Sequence, residues 1–189
     1  LLAGHMSEQF RQYKLDTNLD VDLVVVSEEE PLGTGGAIFN SLSLAREEFI
    51  VCNGDSICLY PLSSYKCHNQ GADVSYLVIS ELEDPERYGI VEHENGGVLN
   101  FHEKVSRKGV FSVNTGIYIF KKRHLLEYGE SPASLEKSLL VKLVEKQKLN
   151  VLTAGCDFID IGVPEDLDRA PAFVSKNLIK NSSSKGLLN

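Results

Sequence analysis

Glu30-Pro31-Leu32-Gly33-Thr34-Gly35-Gly36-Ala37-Ile38 is a glycine-rich turn between an apolar strand, Leu23 to Val26, and a helix predicted over Ala37 to Ala45. Three of its residues, Gly33, Gly35 and Gly36, lack a Cβ, so the backbone can adopt φ > 0 and come close to a flat or charged ligand. The helix start beyond them offers free N–H groups to acceptors. A plain strand-to-helix turn that binds nothing uses the same residues, and a lone glycine run is weak evidence for a ligand.

Upstream, Leu1-Leu2-Ala3-Gly4-His5 reads as the end of a strand running into a turn, as in a domain entered part-way through. Ser7 to Lys14 follows as a helix, with Ser7 as N-cap and Met6, Phe10 and Tyr13 at helical spacing. Asp20 to Val26 reads as a strand with an apolar end, the pattern of a strand covered on both faces. Downstream, Phe49-Ile50-Val51-Cys52 is a second short buried strand that ends in Asn53-Gly54-Asp55-Ser56. Pro61 to Asn69 suits a helix closed by Gly71, and Val74 to Ser80 is a third strand. Strands alternating with helices predict an open α/β sheet, mostly parallel, with helices on both faces. Ligands of such sheets bind at the carboxyl ends of strands, where both the glycine turn and Asp55 fall.

The middle changes character. Tyr88 to Glu92, Asn95-Gly96-Gly97 and Val98 to Lys104 predict a hairpin with an Asn-Gly turn. Phe111 to Phe120 is a strand with Gly116 inside it, and an interior glycine marks close approach of a ligand or another backbone. Ser131-Pro132 opens a helix whose Leu135, Leu139, Leu140, Leu143 and Val144 form one apolar stripe. Val151 to Ala154 and Phe158 to Ile161 are the last strands, and Pro164 to Ala170 starts a closing helix. Residues 1–170 read as one domain and 171–189 as a C-terminal helix with a loose, serine-rich tail.

With 189 residues, 42% hydrophobic and 24% charged, the chain is large enough for a substantial core. A net charge of -8 argues against a nucleic-acid footprint, which needs a basic stripe. It does not disfavour one nucleotide held by amides, a lysine or two and a metal. Cys52, Cys58, Cys67 and Cys156 form no CxxC pair, which argues against zinc and for a reducing, cytoplasmic setting. Cys52 and Cys156 read as small core fillers among apolar neighbours. No run approaches the roughly 18 apolar residues of a membrane span, and no signal-peptide pattern opens the chain.

Asp55 and Asp160 each follow an apolar run, so each is a carboxylate held rigidly at a strand end. Two that converge suit Mg²⁺, which takes few protein carboxylates and completes its shell with water and phosphate oxygens. The bland alternatives are an Asx-turn for Asp55 and a helix-start charge for Asp160. Lys104 beside Glu103 suits a phosphate, with Glu103 accepting sugar hydroxyls, or the two form a solvated ion pair. Asn114-Thr115-Gly116 presents an amide to a hydroxyl or is an ordinary polar strand edge. The five histidines share no spacing, and no Ser-His-Asp or Cys-His pattern stands out.

Taken together, these segments resemble the sugar-1-phosphate nucleotidylyltransferase family. The resemblance is carried by Glu30 to Ala37, Asn53-Gly54-Asp55, Arg87-Tyr88-Gly89, Glu103-Lys104, Asn114-Thr115-Gly116-Ile117-Tyr118, Ser134-Leu135-Glu136-Lys137 and Phe158 to Asp166, in that order. Within the family the pattern looks most like guanylyltransferases for mannose 1-phosphate or heptose 1-phosphate. The resemblance implies a Rossmann-like nucleotide-diphospho-sugar transferase fold acting on a nucleoside triphosphate, GTP, and a sugar 1-phosphate, with Mg²⁺; a homo-oligomer is left open. It implies that Pro31, Leu32, Gly33, Thr34, Gly35, Asn53 and Gly54 meet the nucleotide, the glycines lying against the base. Asp55 and Asp160 would hold the metal, with Lys104 as a third catalytic group. Gly89, Glu103, Lys104, Asn114 and Gly116 would line the sugar and its phosphate.

One departure stands out. The family's glycine-rich loop with its arginine, which follows the first strand and grips the triphosphate, does not occur in this sequence. Leu1 to His5 matches the point after the family's second strand, so roughly 45 to 60 residues of the pattern are missing. The expectation is that these residues alone transfer nucleotides poorly. A non-catalytic sugar-phosphate-binding or regulatory homologue is the alternative in a different class. A glycosyltransferase would want an Asp-x-Asp motif after a strand, and neither Asp20-Val21-Asp22 nor Asp166-Leu167-Asp168 is so placed.

Overall fold

The computed structural model describes residues 1–18, 20–59, 65, 71–83, 85–102, 108–154 and 158–184, with side chains described as far as Asn177. Their contacts divide the chain into two compact units: Leu1–Phe49 with Lys121–Lys146, and Ile50–Phe120 with Gln147–Asn189.

The first unit opens with a two-residue strand, β1 (Leu2–Ala3), paired in parallel with β2 (Val26–Ser27). Helix α1 (Ser7–Asp16) lies between them. It starts after Met6, which sits in the left-handed region at φ 60°, and Ser7 makes no capping bond. The strand predicted over Asp20 to Val26 is therefore much shorter. Val21 and Val24 are exposed, and only the end of the apolar run finds a partner strand. Helix α2 (Gly33–Ser41) begins four residues earlier than predicted, so the glycines are its first turn rather than a loop ahead of it. Helix α3 (Lys122–Leu126) follows later. The predicted leucine stripe then appears on a wide, π-type turn, Leu135–Leu140, that runs into α4 (Val141–Glu145). Leu135, Leu139, Leu140 and Leu143 are buried, as the 3.6-residue period requires. Ser134 caps the turn by accepting a hydrogen bond from the Lys137 amide.

The second unit carries a six-stranded sheet. Its strands are β3 (Glu48–Cys52), β5 (Ser75–Glu83), β6 (Ile90–Glu94), β7 (Gly97–His102), β8 (Val110–Lys121) and β9 (Leu149–Thr153), in the order β3-β8-β5-β9-β7-β6. A separate antiparallel pair joins β4 (Ser56–Cys58) to β10 (Phe158–Asp160), and helix α5 (Pro164–Ser184) follows. The α/β class stands and the sheet is mixed, but it is not mostly parallel. Within it the described parallel ladder is β5–β9, while β5–β8, β6–β7 and β7–β9 are antiparallel. The cause is the predicted hairpin. Asn95 and Gly96 take φ of 51° and 85°, reversing the chain tightly, and β8 then returns antiparallel to β5.

Every residue from Ser75 to Ser80 is buried, so both faces of β5 are covered. On one face Tyr76 and Val78 pack with Ile117, Ile119, Leu152 and Ala154. Strand β3 behaves differently. It alternates exposed Glu48, Ile50 and Cys52 with half-buried Phe49 and Val51, so the face that carries the first three is uncovered. The expectation of a buried strand, with Cys52 as core filler, is corrected accordingly. Cys156 and the helix predicted over Pro61 to Asn69 (apart from Tyr65) lie outside the described residues. Helix α5 continues through Ser184, into the stretch read as a loose tail. Among the described residues no helix is long and apolar enough to cross a membrane.

Candidate active site

The carboxylate end of the second unit is built by one short ladder. Antiparallel pairing sets Asp160 opposite Ser56, Ile159 opposite Ile57 and Phe158 opposite Cys58. Asp55 directly precedes β4 and Asp160 ends β10, so the register brings both to the same end. The Ile161 amide donates to the Asp55 carbonyl at 2.7 Å and extends the ladder by one rung. Gly162 lies between the two side chains. A Cβ built there would be 2.9 Å from Asp160 Oδ1 and 3.8 Å from Asp55 Oδ2, so both oxygens flank one point that only glycine leaves open. Asp55 is exposed and Asp160 half-buried. Two rigid carboxylates beside a solvent-open gap are the donor set of a hard divalent cation that keeps most of its shell as water and phosphate oxygen. The residues fit such an ion. Among the described residues no larger acidic or histidine cluster gathers for a metal.

Asp160 Oδ1 also accepts from the Gly162 amide at 2.8 Å, which fixes its rotamer just ahead of α5. Arg87 Nη2 stands 3.5 Å from the same oxygen, and Arg87 Nη1 donates to Asp166 Oδ2 at 2.7 Å. The hydrogen bond to Asp166 holds the Arg87 guanidinium pKa above its usual range. Tyr88 meets Phe158 edge to face, with ring centroids 5.2 Å apart. Burial, and then the Asp160 charge, push the Tyr88 phenol pKa up.

The turn that carries Asp55 is shaped by Gly116. Register slips between Leu77 and Ile79 on β5, where β8 carries extra residues; Thr115 Oγ1 donates to the Val78 carbonyl at 2.9 Å in that bulge. Gly116 takes φ +78°, and its carbonyl accepts from the Asn53 amide at 2.8 Å. A Cβ on Gly116 would come within 2.9 Å of both Asn53 Nδ2 and Ser56 Oγ. The interior glycine thus marks the close approach of the Asn53–Ser56 turn itself. Asn114 is held nearby: its Oδ1 accepts from the Gly116 amide at 2.9 Å, its Nδ2 donates to Tyr118 Oη at 2.6 Å, and its own amide donates to the Gly89 carbonyl at 3.0 Å. Gly89 packs against the Phe101 ring. Gly89, Asn114, Gly116, Asn53 and Gly54 are therefore joined by backbone contacts to the Asp55 turn. Glu103 and Lys104 lie outside the described residues.

In the first unit the glycine turn has its own neighbours. A Cβ on Gly33, whose φ is +72°, would overlap the Ala133 carbonyl oxygen, and one on Gly35 would overlap that of Pro132. The Gly35 amide donates to the Ala133 carbonyl at 3.3 Å, and Thr34 Oγ1 accepts from the Leu135 amide at 3.1 Å. The Leu32 amide donates to Glu28 Oε2 at 3.0 Å. The expectation had these glycines bare so that a base could approach. Here the faces a Cβ would occupy are covered by the chain's own 132–133 backbone and Gly35 is buried, while Pro31, Leu32, Gly33 and Thr34 remain exposed.

Sequence reasoning passed over Arg87, Gly162 and Asp166. Arg87 stood only within the Arg87-Tyr88-Gly89 motif, and Gly162 only within the run from Phe158 to Asp166. Asp166 was weighed only as the end of that run and as half of an Asp-x-Asp pair, with no role of its own, yet it is buried and holds two guanidiniums. Cys52 is exposed, but neighbouring atoms desolvate its thiol and raise its pKa, with a smaller contribution from Cys58.

The profile of the nucleotidyl transferase family matches residues 2–177. The mannose-1-phosphate guanylyltransferase catalytic subunit beta of Drosophila melanogaster is 31% identical over 194 residues, covering 98% of this chain and 52% of the fly protein. The D-glycero-alpha-D-manno-heptose 1-phosphate guanylyltransferase of Campylobacter jejuni is 32% identical over 167 residues, 88% of this chain and 74% of the bacterial one. Among solved structures, HddC from Yersinia pseudotuberculosis complexed with GMP-PN superposes with a TM-score of 0.79 at 29% identity, covering 90% of this chain and 75% of HddC. The chain spans about half the length of the first curated relatives it matches.

Proposed function

The chain belongs to the nucleotidyl transferase family, and on that premise we propose that it forms the catalytic part of a sugar-1-phosphate guanylyltransferase. The reaction joins GTP to a mannose- or heptose-type sugar 1-phosphate. A sugar-phosphate oxygen attacks the α-phosphorus in line, the new O–P bond forms, the bond to the bridging oxygen breaks, and pyrophosphate leaves with the electron pair. No side chain need become covalently attached, so the protein's task is positioning and neutralising charge. The reading rests above all on the Asp55–Asp160 pair, whose oxygens flank one point across Gly162.

Asp55 and Asp160 would hold a divalent cation, Mg²⁺, which when bound neutralises charge on the reacting phosphates. Pro31, Leu32, Gly33 and Thr34, which are exposed, would meet the nucleotide in the first unit, with Gly35 shaping the turn beneath them. Gly89 and Asn114, with Glu103 and Lys104, would line the sugar phosphate, Lys104 supplying positive charge, and Gly116 would shape the turn behind them. A reducing, cytoplasmic setting belongs to the same reading, since the four cysteines form no CxxC pair.

Calorimetric titration of GDP-mannose and a GDP-heptose, with and without Mg²⁺, tests this reading. Mg²⁺-dependent binding that is lost in Asp160→Asn supports it. Binding indifferent to both Mg²⁺ and Asp160 would favour a sugar-phosphate-binding protein without catalysis.

A further inference from the structure

We infer that Arg87 is a positioning residue that aims the Asp160 carboxylate at the cation. The inference rests on the proposed reading of Asp55 and Asp160 as a cation pair. Arg87 stands in the turn before β6, and the packing of Tyr88 on Phe158 ties that turn to β10. One arm of its guanidinium is anchored on Asp166, which is buried in the first turn of α5. The other oxygen of Asp166 is taken by Arg169 Nη1 at 2.8 Å. Asp166 thus has a guanidinium partner on each oxygen.

A guanidinium is a planar fork, so fixing one arm directs the other. Nη1 sits on Asp166 at hydrogen-bond distance, and that sends Nη2 to Asp160 Oδ1 at 3.5 Å. This second contact is longer than a charge-assisted hydrogen bond of about 2.7–2.9 Å. It orients the carboxylate without saturating it. The Gly162 amide holds the same oxygen at 2.8 Å, so Oδ1 is bracketed between an amide and a guanidinium, and the rotamer that faces Asp55 is selected. Outer partners of this kind ordinarily change metal affinity by about 10- to 100-fold.

A simple staple between the turn and α5 would give the same bond to Asp166, and substitutions separate the two roles. Arg87→Lys keeps the charge and one partner but loses the fork. Arg169→Gln weakens the hold on Asp166 and leaves Asp160 untouched. Mn²⁺ binding, read by electron paramagnetic resonance on the full chain, and thermal midpoints are measured for the wild type, both variants and Asp160→Asn. The expected result is about 10-fold weaker Mn²⁺ binding in Arg87→Lys at a nearly unchanged midpoint. Arg169→Gln should lower the midpoint and keep wild-type affinity. Equal affinities in the wild type and Arg87→Lys, or equal losses in Arg87→Lys and Arg169→Gln, overturn the positioning role and leave the cation pair standing. A wild type that binds Mn²⁺ no better than Asp160→Asn overturns the cation pair and the positioning role together.

Discussion

Gly162 is the residue that keeps the gap between Asp55 and Asp160 open. Its amide orients Asp160, and its missing side chain leaves the gap that Asp55 Oδ2 and Asp160 Oδ1 share. Gly162→Ala would place a methyl 2.9 Å from Asp160 Oδ1, closer than a carbon and an oxygen tolerate, so the carboxylate must turn away. We expect roughly 10-fold weaker Mn²⁺ affinity, comparable to loss of an outer-sphere partner, with a thermal midpoint close to wild type because the position is at the surface. Asp55 and Asp160 were legible in sequence because a carboxylate just past an apolar run is a local pattern. The glycine between them was not, since its neighbours come together only through the β4–β10 register.

Elements explain the other glycines. In the first turn of α2, Gly33 and Gly35 are pressed by the carbonyls of Ala133 and Pro132, and Gly33 also has a positive φ. Gly33→Ala combines a backbone clash with a strained conformation, and should destabilise the protein by about 3 kcal/mol or more in urea unfolding. A change below about 1 kcal/mol would show that the 131–134 segment yields to the new methyl. At this scale the sequence was readable wherever the period was long or the turn chemistry explicit. The leucine stripe of 135–144 and the Asn95-Gly96 hairpin are in place. It misled where burial depends on what covers a face. An apolar run at Phe49 to Cys52 looks the same whether one face or both are covered, and the face of β3 that carries Ile50 and Cys52 is uncovered. The three residues of β4 were missed because so short a run carries no period.

For the whole molecule, acidity and family membership point the same way. A net charge of -8 argues against a basic footprint for a polynucleotide, while a mononucleotide needs only local amides, a lysine and a cation. The ordered motifs from Glu30 to Asp166 carried the family into view, and the family profile covers residues 2–177. A mostly parallel α/β sheet was inferred from alternating strands and helices; the α/β class stands, and the described ladders are mixed. The antiparallel return of β8 came from a hairpin whose place in the strand order no local pattern encodes. The proposed role of Asp55 and Asp160 is to support guanylyl transfer to a sugar 1-phosphate. Its most direct test is pyrophosphate release from GTP by the full-length protein in Mg²⁺, with mannose 1-phosphate and a heptose 1-phosphate. Release that requires the sugar phosphate and falls at least about 100-fold in Asp160→Asn is the predicted result. Release that is independent of the sugar phosphate, or undiminished in Asp160→Asn, would contradict it.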